Sequence, residues 1–108
     1  MTIDDSSVET IADPDVFKAL SHPNRVKLFS ILCSCDCAQT VGELHACCDI
    51  DLSVVSRHLG VLKDANLVEL TRDGQKRRYQ PKRREVVAAL RALADVIEAS
   101  EPQGDCDD

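Results

Sequence analysis

The sequence predicts a single, mainly α-helical domain that carries one small β-hairpin. Its 108 residues match the usual length of one domain, which is roughly 100–150 residues. Apolar residues make up 44% of the chain and recur at helical spacing over most of its length. The exception is Arg72-Asp73-Gly74, which separates two strand-like runs and is typical of a tight turn, because such turns need a residue with positive φ. Aromatic residues make up only 3%, so the core should be aliphatic.

Prolines mark the beginnings of the first two helices. Residues 1–12 are expected to form a polar arm, and Asp13 before Pro14 predicts a cap and the first helical turn. The sequence Ser21-His22-Pro23 then restarts the helical pattern. The apolar run from Val26 to Leu32 predicts a second, mostly buried helix.

Two short helices joined by about four residues follow. Thr40 and Glu43 fit a capping box at the start of the third helix, and Asp51 is expected to cap a fourth helix over about residues 52–65. One face of that fourth helix is apolar: Leu52, Val55, Leu59 and Leu62. This pair is a helix-turn-helix, whose second helix usually enters the major groove of DNA.

The hairpin and a long last helix complete the domain. We predict the hairpin, or wing, over about residues 67–80 and a helix over about residues 84–100. The last helix carries an apolar stripe: Val86, Val87, Leu90, Leu93, Ala94 and Ile97. Because the stripe is longer than a small monomer needs, it predicts a dimer. Residues 13–100 are therefore interpreted as a dimeric winged helix-turn-helix domain with five helices and a two-stranded wing, followed by an acidic, disordered tail over residues 101–108.

The charges are unevenly distributed. The net charge is −6, yet residues 57–84 contain nine cations and only three acids. Such a basic block predicts a polyanionic partner, here double-stranded DNA, with the acidic ends of the chain pointing away from it. The alternative is a charged hairpin that is merely solvated.

The composition also limits the compartment and the class of protein. No run of about 18 apolar residues is present, and the N-terminus carries acids where a signal peptide would carry Lys or Arg, so we expect a cytoplasmic protein with no membrane partner. The sequence has no Gly-rich phosphate loop, no Ser/His/Asp pattern and no paired carboxylates, and an enzyme is not expected. In a reducing compartment the six cysteines should be thiols that serve in metal binding or redox chemistry.

Three stretches of the chain form a recognisable combination: FKALSHPNRVKL from Phe17 to Leu28, SVVSRHLGVL from Ser53 to Leu62 and LVELTRDGQKRRY from Leu67 to Tyr79. In this order and spacing they resemble the ArsR/SmtB family of metal- and stress-responsive repressors. The resemblance covers residues 15–97 and implies a homodimer built on the first and last helices. It further implies that each subunit offers one recognition helix to an inverted-repeat operator, and that an inducer weakens DNA binding and releases transcription.

Nine residues are the candidates for contact with DNA. Four lie on the expected recognition helix: Ser53, Ser56, Arg57 and His58. Five lie on the wing: Arg72, Gln75, Lys76, Arg77 and Arg78. The planar fork of Arg57 suits the two acceptors of guanine, whereas His58 fits either a phosphate contact or a packing or capping role. Because alternate side chains of a strand face opposite ways, not all wing residues should reach DNA.

Five cysteines are candidate ligands for a thiophilic ion: Cys47 and Cys48, helped by one or more of Cys33, Cys35 and Cys37. Binding of the ion is expected to pull on the third helix and tilt the recognition helix. Thiolates are soft ligands, and arsenite is the first candidate ion, ahead of antimonite, mercury, cadmium and zinc. The arsenite site of the family would fall at Thr40, Gly42 and His45, none of which is cysteine, and the last helix has no histidine for the zinc site of some relatives. A sixth thiol, Cys106, lies in the tail.

Other interpretations of the cysteines remain open at this point. The same thiols could oxidise in a redox-sensing repressor of the same fold, since strained disulfides between neighbouring cysteines are labile. They could also be small buried side chains in a constitutive repressor. A function from another class, a cysteine-based metal-buffering protein, leaves the basic helix and wing unexplained.

Overall fold

The computed structural model of the chain describes residues 14–99, within which five helices and one two-stranded antiparallel sheet occur in the predicted order. In chain order they are α1 Pro14–Ala19, α2 Pro23–Ser34, α3 Val41–Ala46, α4 Leu52–Asp64, β1 Val68–Asp73, β2 Lys76–Pro81 and α5 Arg83–Ala99. The expected polar arm, the Asp13 cap, the acidic tail and Cys106 lie outside the described residues.

Side chains cap both α2 and α3, and the cap of α3 is the predicted one. His22 Nδ1 accepts a hydrogen bond from the amide of Asn24 at 3.1 Å at the start of α2. The capping box of α3 is complete, because Thr40 Oγ1 accepts from the Glu43 amide at 3.1 Å and Glu43 Oε1 accepts from the Thr40 amide at 2.8 Å. Asp51 precedes α4 as expected, but its side chain makes no capping hydrogen bond.

The core is aliphatic, as the scarcity of aromatic residues predicts. Its fully buried members come from α2, α3, α4, β1 and the residue just before β1: Leu28, Leu32, Leu44, Val55, Leu59, Leu62, Leu67 and Val68. Burying each such side chain stabilises the fold by about 1.5–3 kcal/mol relative to leaving it exposed. Leu52 was expected on the apolar face of α4 and is instead half exposed, since it begins the helix beyond the edge of the core.

A left-handed residue sets the direction in which the wing leaves α4. Asn66 has a φ of 71° directly after the helix. The amide of Asn66 donates to Lys63 O at 3.0 Å, and the amide of Leu67 donates to Leu62 O at 2.9 Å. This is the Schellman pattern of hydrogen bonds, accompanied by burial of Leu62 and Leu67.

The wing turn lies one residue later than the Asp-Gly pattern predicts. Asp73 pairs with Lys76 in the ladder, so Gly74 and Gln75 form the turn, with Gly74 at a φ of 66°. Leu70 pairs with Tyr79, whose ring is buried in the core. The glycine still supplies the positive φ, and only the pairing of its neighbours shifts.

The outer edge of β2 is covered by the connection between α2 and α3. The amide of Gln39 donates to Tyr79 O at 2.8 Å, and the amide of Tyr79 donates to Gln39 O at 2.7 Å. This single antiparallel bridge fixes the wing against the residues that follow α2.

Candidate nucleic-acid interface and its thiol groups

One face of α4 is polar and exposed to solvent. Ser53, Ser56 and Arg57 are exposed, while Val55 and Leu59 on the other side are completely buried. Residues three and four positions apart in a helix share a face, so the two serines and the arginine form one polar surface. This surface agrees with the predicted recognition face of the helix.

His58 does not share that surface. It is only 8% exposed, and its ring lies against the ring of His22 with centroids 4.5 Å apart. The expectation that it is offered on the exposed face of the helix is therefore wrong, and the packing role considered for it fits its position. Burial is the main cause that lowers the pKa of His58, and the positive charges near it, above all His22, act in the same direction.

Some cations of the wing are exposed to solvent, and one is bonded to other residues of the chain. The exposed polar residues at and near the turn are Arg72, Gln75, Lys76 and Arg77. Arg78 is half-buried and bonded within the chain: its Nη1 donates to Glu43 Oε1 at 3.2 Å and to Ala38 O at 3.4 Å, and its Nε lies 3.7 Å from Asp73 Oδ2. Arg78 is thus a contact between the wing and α3, which leaves four of the five predicted wing residues free to face DNA.

The contact of Arg78 with Glu43 joins the wing to the capping box of α3. Hydrogen bonds from Thr40 are the main cause that lowers the pKa of Glu43, and the charges of Arg78 and Lys76 add to that effect. A cleft of about 490 Å³ lies between the start of α3 and the wing, lined by Thr40, Val41, Gly42, Glu43, Lys76, Arg77 and Arg78. The first half of the helix-turn-helix and the wing are therefore in contact through charged side chains.

The cysteines of the described region are free thiols in two groups. Cys33, Cys35 and Cys37 lie at and just after the end of α2, and Cys47 and Cys48 lie at the end of α3. Burial raises the pKa of the Cys33 thiol, and the positive charge of Arg83 opposes that shift in part. Thiols of this kind suit soft ions chemically. Within residues 14–99, however, no three His, Cys, Asp or Glu side chains are grouped so that they could hold a metal ion.

Sequence reasoning missed how the first thiol group is tied to the rest of the fold. Arg83 Nη2, at the start of α5, donates to the carbonyl oxygens of Cys33 at 2.9 Å and Cys35 at 3.2 Å. These partners are about 50 positions apart in the chain, and no local pattern indicates such a contact. The excess of arginine around residue 83 was the only available signal, and it was assigned to DNA alone.

A helix-turn-helix with a polar second helix, followed by a hairpin with exposed cations, defines a winged helix-turn-helix DNA-binding domain. The model of a helix-turn-helix domain matches residues 20–71. Over 81 residues the chain is 32% identical to the HTH-type transcriptional regulator YgaV of Escherichia coli (strain K12), covering 75% of this chain and 81% of that protein. The chain belongs to the HTH-type transcriptional regulators.

Solved structures agree with this assignment. An ArsR-like transcriptional regulator from Rhodococcus sp. RHA1 superposes with a TM-score of 0.71 at 24% identity, covering 80% of this chain and 79% of that one, and supports the fold. A possible transcriptional regulator for arsenical resistance superposes with a TM-score of 0.65 at 36% identity, and the match covers 77% of this chain and 83% of that one. The relatives named here are regulators, or possible regulators, of transcription. No helix within residues 14–99 is long and apolar enough to cross a membrane.

Proposed function

We propose that this chain is a cytoplasmic, homodimeric repressor that binds double-stranded operator DNA and leaves it when a thiophilic ion binds its cysteines. The observation that carries the DNA-binding part is the exposed polar face of α4. Ser53, Ser56 and Arg57 are exposed on that face, and the side chains of the opposite face are buried in the core. A rigid helix with one free polar face is what insertion into the major groove requires.

Each residue of that face has a distinct proposed role. Arg57 would donate two parallel hydrogen bonds to the O6 and N7 atoms of guanine and so provide base specificity. Ser53 and Ser56, near the N-terminus of the 13-residue α4, would donate to phosphate or base edges, where the helix dipole favours negative charge.

The wing would supply contacts that do not depend on sequence. Arg72, Gln75, Lys76 and Arg77 are exposed and would meet phosphates or the minor groove beside the recognition helix. Each phosphate contact of this kind releases counterions, so affinity should fall steeply as the salt concentration rises. A local basic surface on an acidic chain therefore favours nucleic acid as the partner.

A second copy of the chain is proposed to cover α5. Val87, Leu90 and Ile97 are 45%, 44% and 63% exposed, and they lie on one side of this 17-residue helix. Apolar surface in a continuous stripe favours burial against a partner. Dimerisation would give two recognition helices, which match the two halves of an inverted repeat.

The inducer is proposed to be a soft ion, with arsenite as the first candidate. Five free thiols within the described region support this proposal: Cys33, Cys35, Cys37, Cys47 and Cys48. The similarity to a solved structure described as a possible regulator for arsenical resistance supports it as well. Soft thiolates prefer such ions over the hard cations that oxygen ligands bind.

The DNA-binding proposal is tested by fluorescence anisotropy of the fully reduced protein on a labelled duplex from its own upstream region. Arg57→Ala should weaken binding by about 10- to 100-fold, which corresponds to the loss of one bidentate base contact. Lys63→Ala, at the exposed far end of the same helix, is the matched control and should bind as the wild type does. Equal binding of the upstream duplex and a scrambled duplex would contradict the proposal.

The inducer proposal is tested by adding sodium arsenite to the preformed complex. We expect release from DNA at about one arsenic per subunit, and no release when the five cysteines are replaced by serine. Release by a hydroperoxide but not by arsenite would instead support the redox-sensing alternative.

A further inference from the structure

We infer that residues 33–37, here called the cysteine segment, receive the thiophilic ion through Cys35 and Cys37 and transmit its binding to the wing. This inference rests on the proposed ion response and assigns its site. It also predicts that ion binding changes the position of the wing rather than that of the recognition helix itself.

A small cavity lies where the cysteine segment meets the wing and α5. It measures about 100 Å³ and is lined by Cys35, Asp36, Cys37, Gln80, Pro81 and Arg83. Cavities that bind organic ligands usually measure about 300–1,000 Å³, so this one suits an ion. Arg83 also lines the cavity and places a positive charge beside it.

Arg83 ties the cysteine segment to the start of α5. One guanidinium nitrogen of Arg83 donates to both Cys33 O and Cys35 O, at 2.9 Å and 3.2 Å. The backbone on either side of Ser34 is therefore held by a single side chain from the helix proposed to form the dimer. A change in the path of this backbone would break at least one of the two bonds.

The wing is tied to the residues directly after the segment. Gln39 and Tyr79 exchange two backbone hydrogen bonds of 2.8 Å and 2.7 Å, and Arg78 Nη1 donates to Ala38 O at 3.4 Å. Ala38 and Gln39, the two residues that make these contacts with β2, directly follow Cys37. Movement at Cys37 must therefore be absorbed at the edge of the wing.

Ion capture would disturb the present bonding of both sulfur atoms. Cys35 Sγ donates to Ile31 O at 3.2 Å, and Cys37 Sγ accepts from Gln39 Nε2 at 3.6 Å. Arsenous acid, As(OH)₃, would react with both thiols: two S–H and two As–O bonds break, two As–S bonds form, and two waters leave, with no change of oxidation state. Cys35 then has no proton to donate to Ile31 O, and the Cys37 sulfur that now accepts from Gln39 is bonded to arsenic.

Cys47 and Cys48 lack this connection and form a matched control pair. Cys47 caps the end of α3 and is exposed, whereas Cys48 packs against the core and its Sγ donates to Leu44 O at 3.3 Å. Ligation by Cys48 would remove a side chain from the core. Neither sulfur is hydrogen-bonded to the wing or to the residues paired with it.

The test measures amide hydrogen exchange by NMR on the full reduced chain without DNA, before and after one equivalent of sodium arsenite. We expect exchange at the Gln39 and Tyr79 amides to accelerate by about tenfold or more, because their mutual hydrogen bonds open locally. The double variant Cys35→Ser with Cys37→Ser should show no acceleration. The double variant Cys47→Ser with Cys48→Ser should behave as the wild type does, and native mass spectrometry should find one arsenic per subunit in it.

Each contrary result has a distinct meaning. If arsenite releases the wild type from DNA while the Gln39 and Tyr79 amides stay protected, transmission through the wing is overturned and the ion response stands. If only the Cys47 and Cys48 variant loses its arsenic and its response, the assigned site is overturned. If the wild type binds no arsenic at all, the proposed ion response fails together with the site.

Discussion

His22 and His58 are in ring contact, with centroids 4.5 Å apart and ring planes inclined at 52°. His22 is the N-cap of α2, and its Nδ1 accepts a hydrogen bond from Asn24. His58 is a buried residue of α4, the proposed recognition helix. The pair therefore joins the start of α2 to the middle of α4.

Lowering the pH should weaken this connection. Burial and the nearby positive charges of His22, Arg25 and Arg57 hold the pKa of His58 below its ordinary value of 6.5. The unfolded chain then binds a proton more readily than the folded chain, so stability is fully present above pH 6.5 and falls as the pH drops below it. Urea unfolding between pH 5 and pH 8 should show this loss. His58→Asn should flatten the dependence, and an equally steep dependence in that variant would refute the assignment.

Neighbouring arginines of the wing should behave differently when replaced. Arg77 is exposed, so Arg77→Ala should weaken binding to specific and scrambled duplexes alike and lower the slope of log affinity against log salt by about one. Arg78 is half-buried and bonded to Glu43 and Ala38, so Arg78→Ala should instead lower the free energy of unfolding by about 1 kcal/mol. Titrations at several salt concentrations and urea unfolding of both variants separate the two effects. Identical salt slopes for the two variants would contradict the division of the wing.

Local patterns predicted the elements of the fold well. The capping box of Thr40 and Glu43 lies within four residues, and the apolar face of α4 follows from helical periodicity, so neither depends on distant contacts. The same periodicity also indicates burial of His58, because it lies three residues after Val55 and four before Leu62. Its polar side chain was given more weight than its position, and the structure shows it buried.

Contacts between distant residues could not be predicted from one sequence. The turn at Gly74 shifted by one residue because the pairing of Asp73 with Lys76 decides the register, and a dipeptide pattern does not contain that pairing. Arg78 and Arg83 looked like any other cations of a basic block. Their hydrogen-bond partners lie 35 to 50 positions earlier in the chain, and only the folded structure brings them together.

The apolar stripe of α5 should control the oligomeric state. Leu90→Glu places a charge in the stripe, and we expect it to convert a dimer into a monomer in analytical ultracentrifugation because burying an unpaired carboxylate is costly. Ala88→Glu is the control, since Ala88 is exposed and two helical steps place it about 160° away around the helix. A dimer that persists in Leu90→Glu, or that is lost equally in Ala88→Glu, would argue against this face.

The junction between α4 and the wing should depend on the conformation of Asn66 more than on its chemistry. Asn66 has a φ of 71°, and its side-chain oxygen accepts a hydrogen bond from Lys82 Nζ. Asn66→Ala should lower the free energy of unfolding by about 1 kcal/mol, because a side chain with Cβ and no local hydrogen bond is disfavoured in the left-handed region. Asn66→Gly loses the same bond to Lys82 but adopts this φ freely, so it should be as stable as the wild type or nearly so. If both variants lose the same stability in urea unfolding, the bond to Lys82 rather than the backbone conformation holds the wing in place.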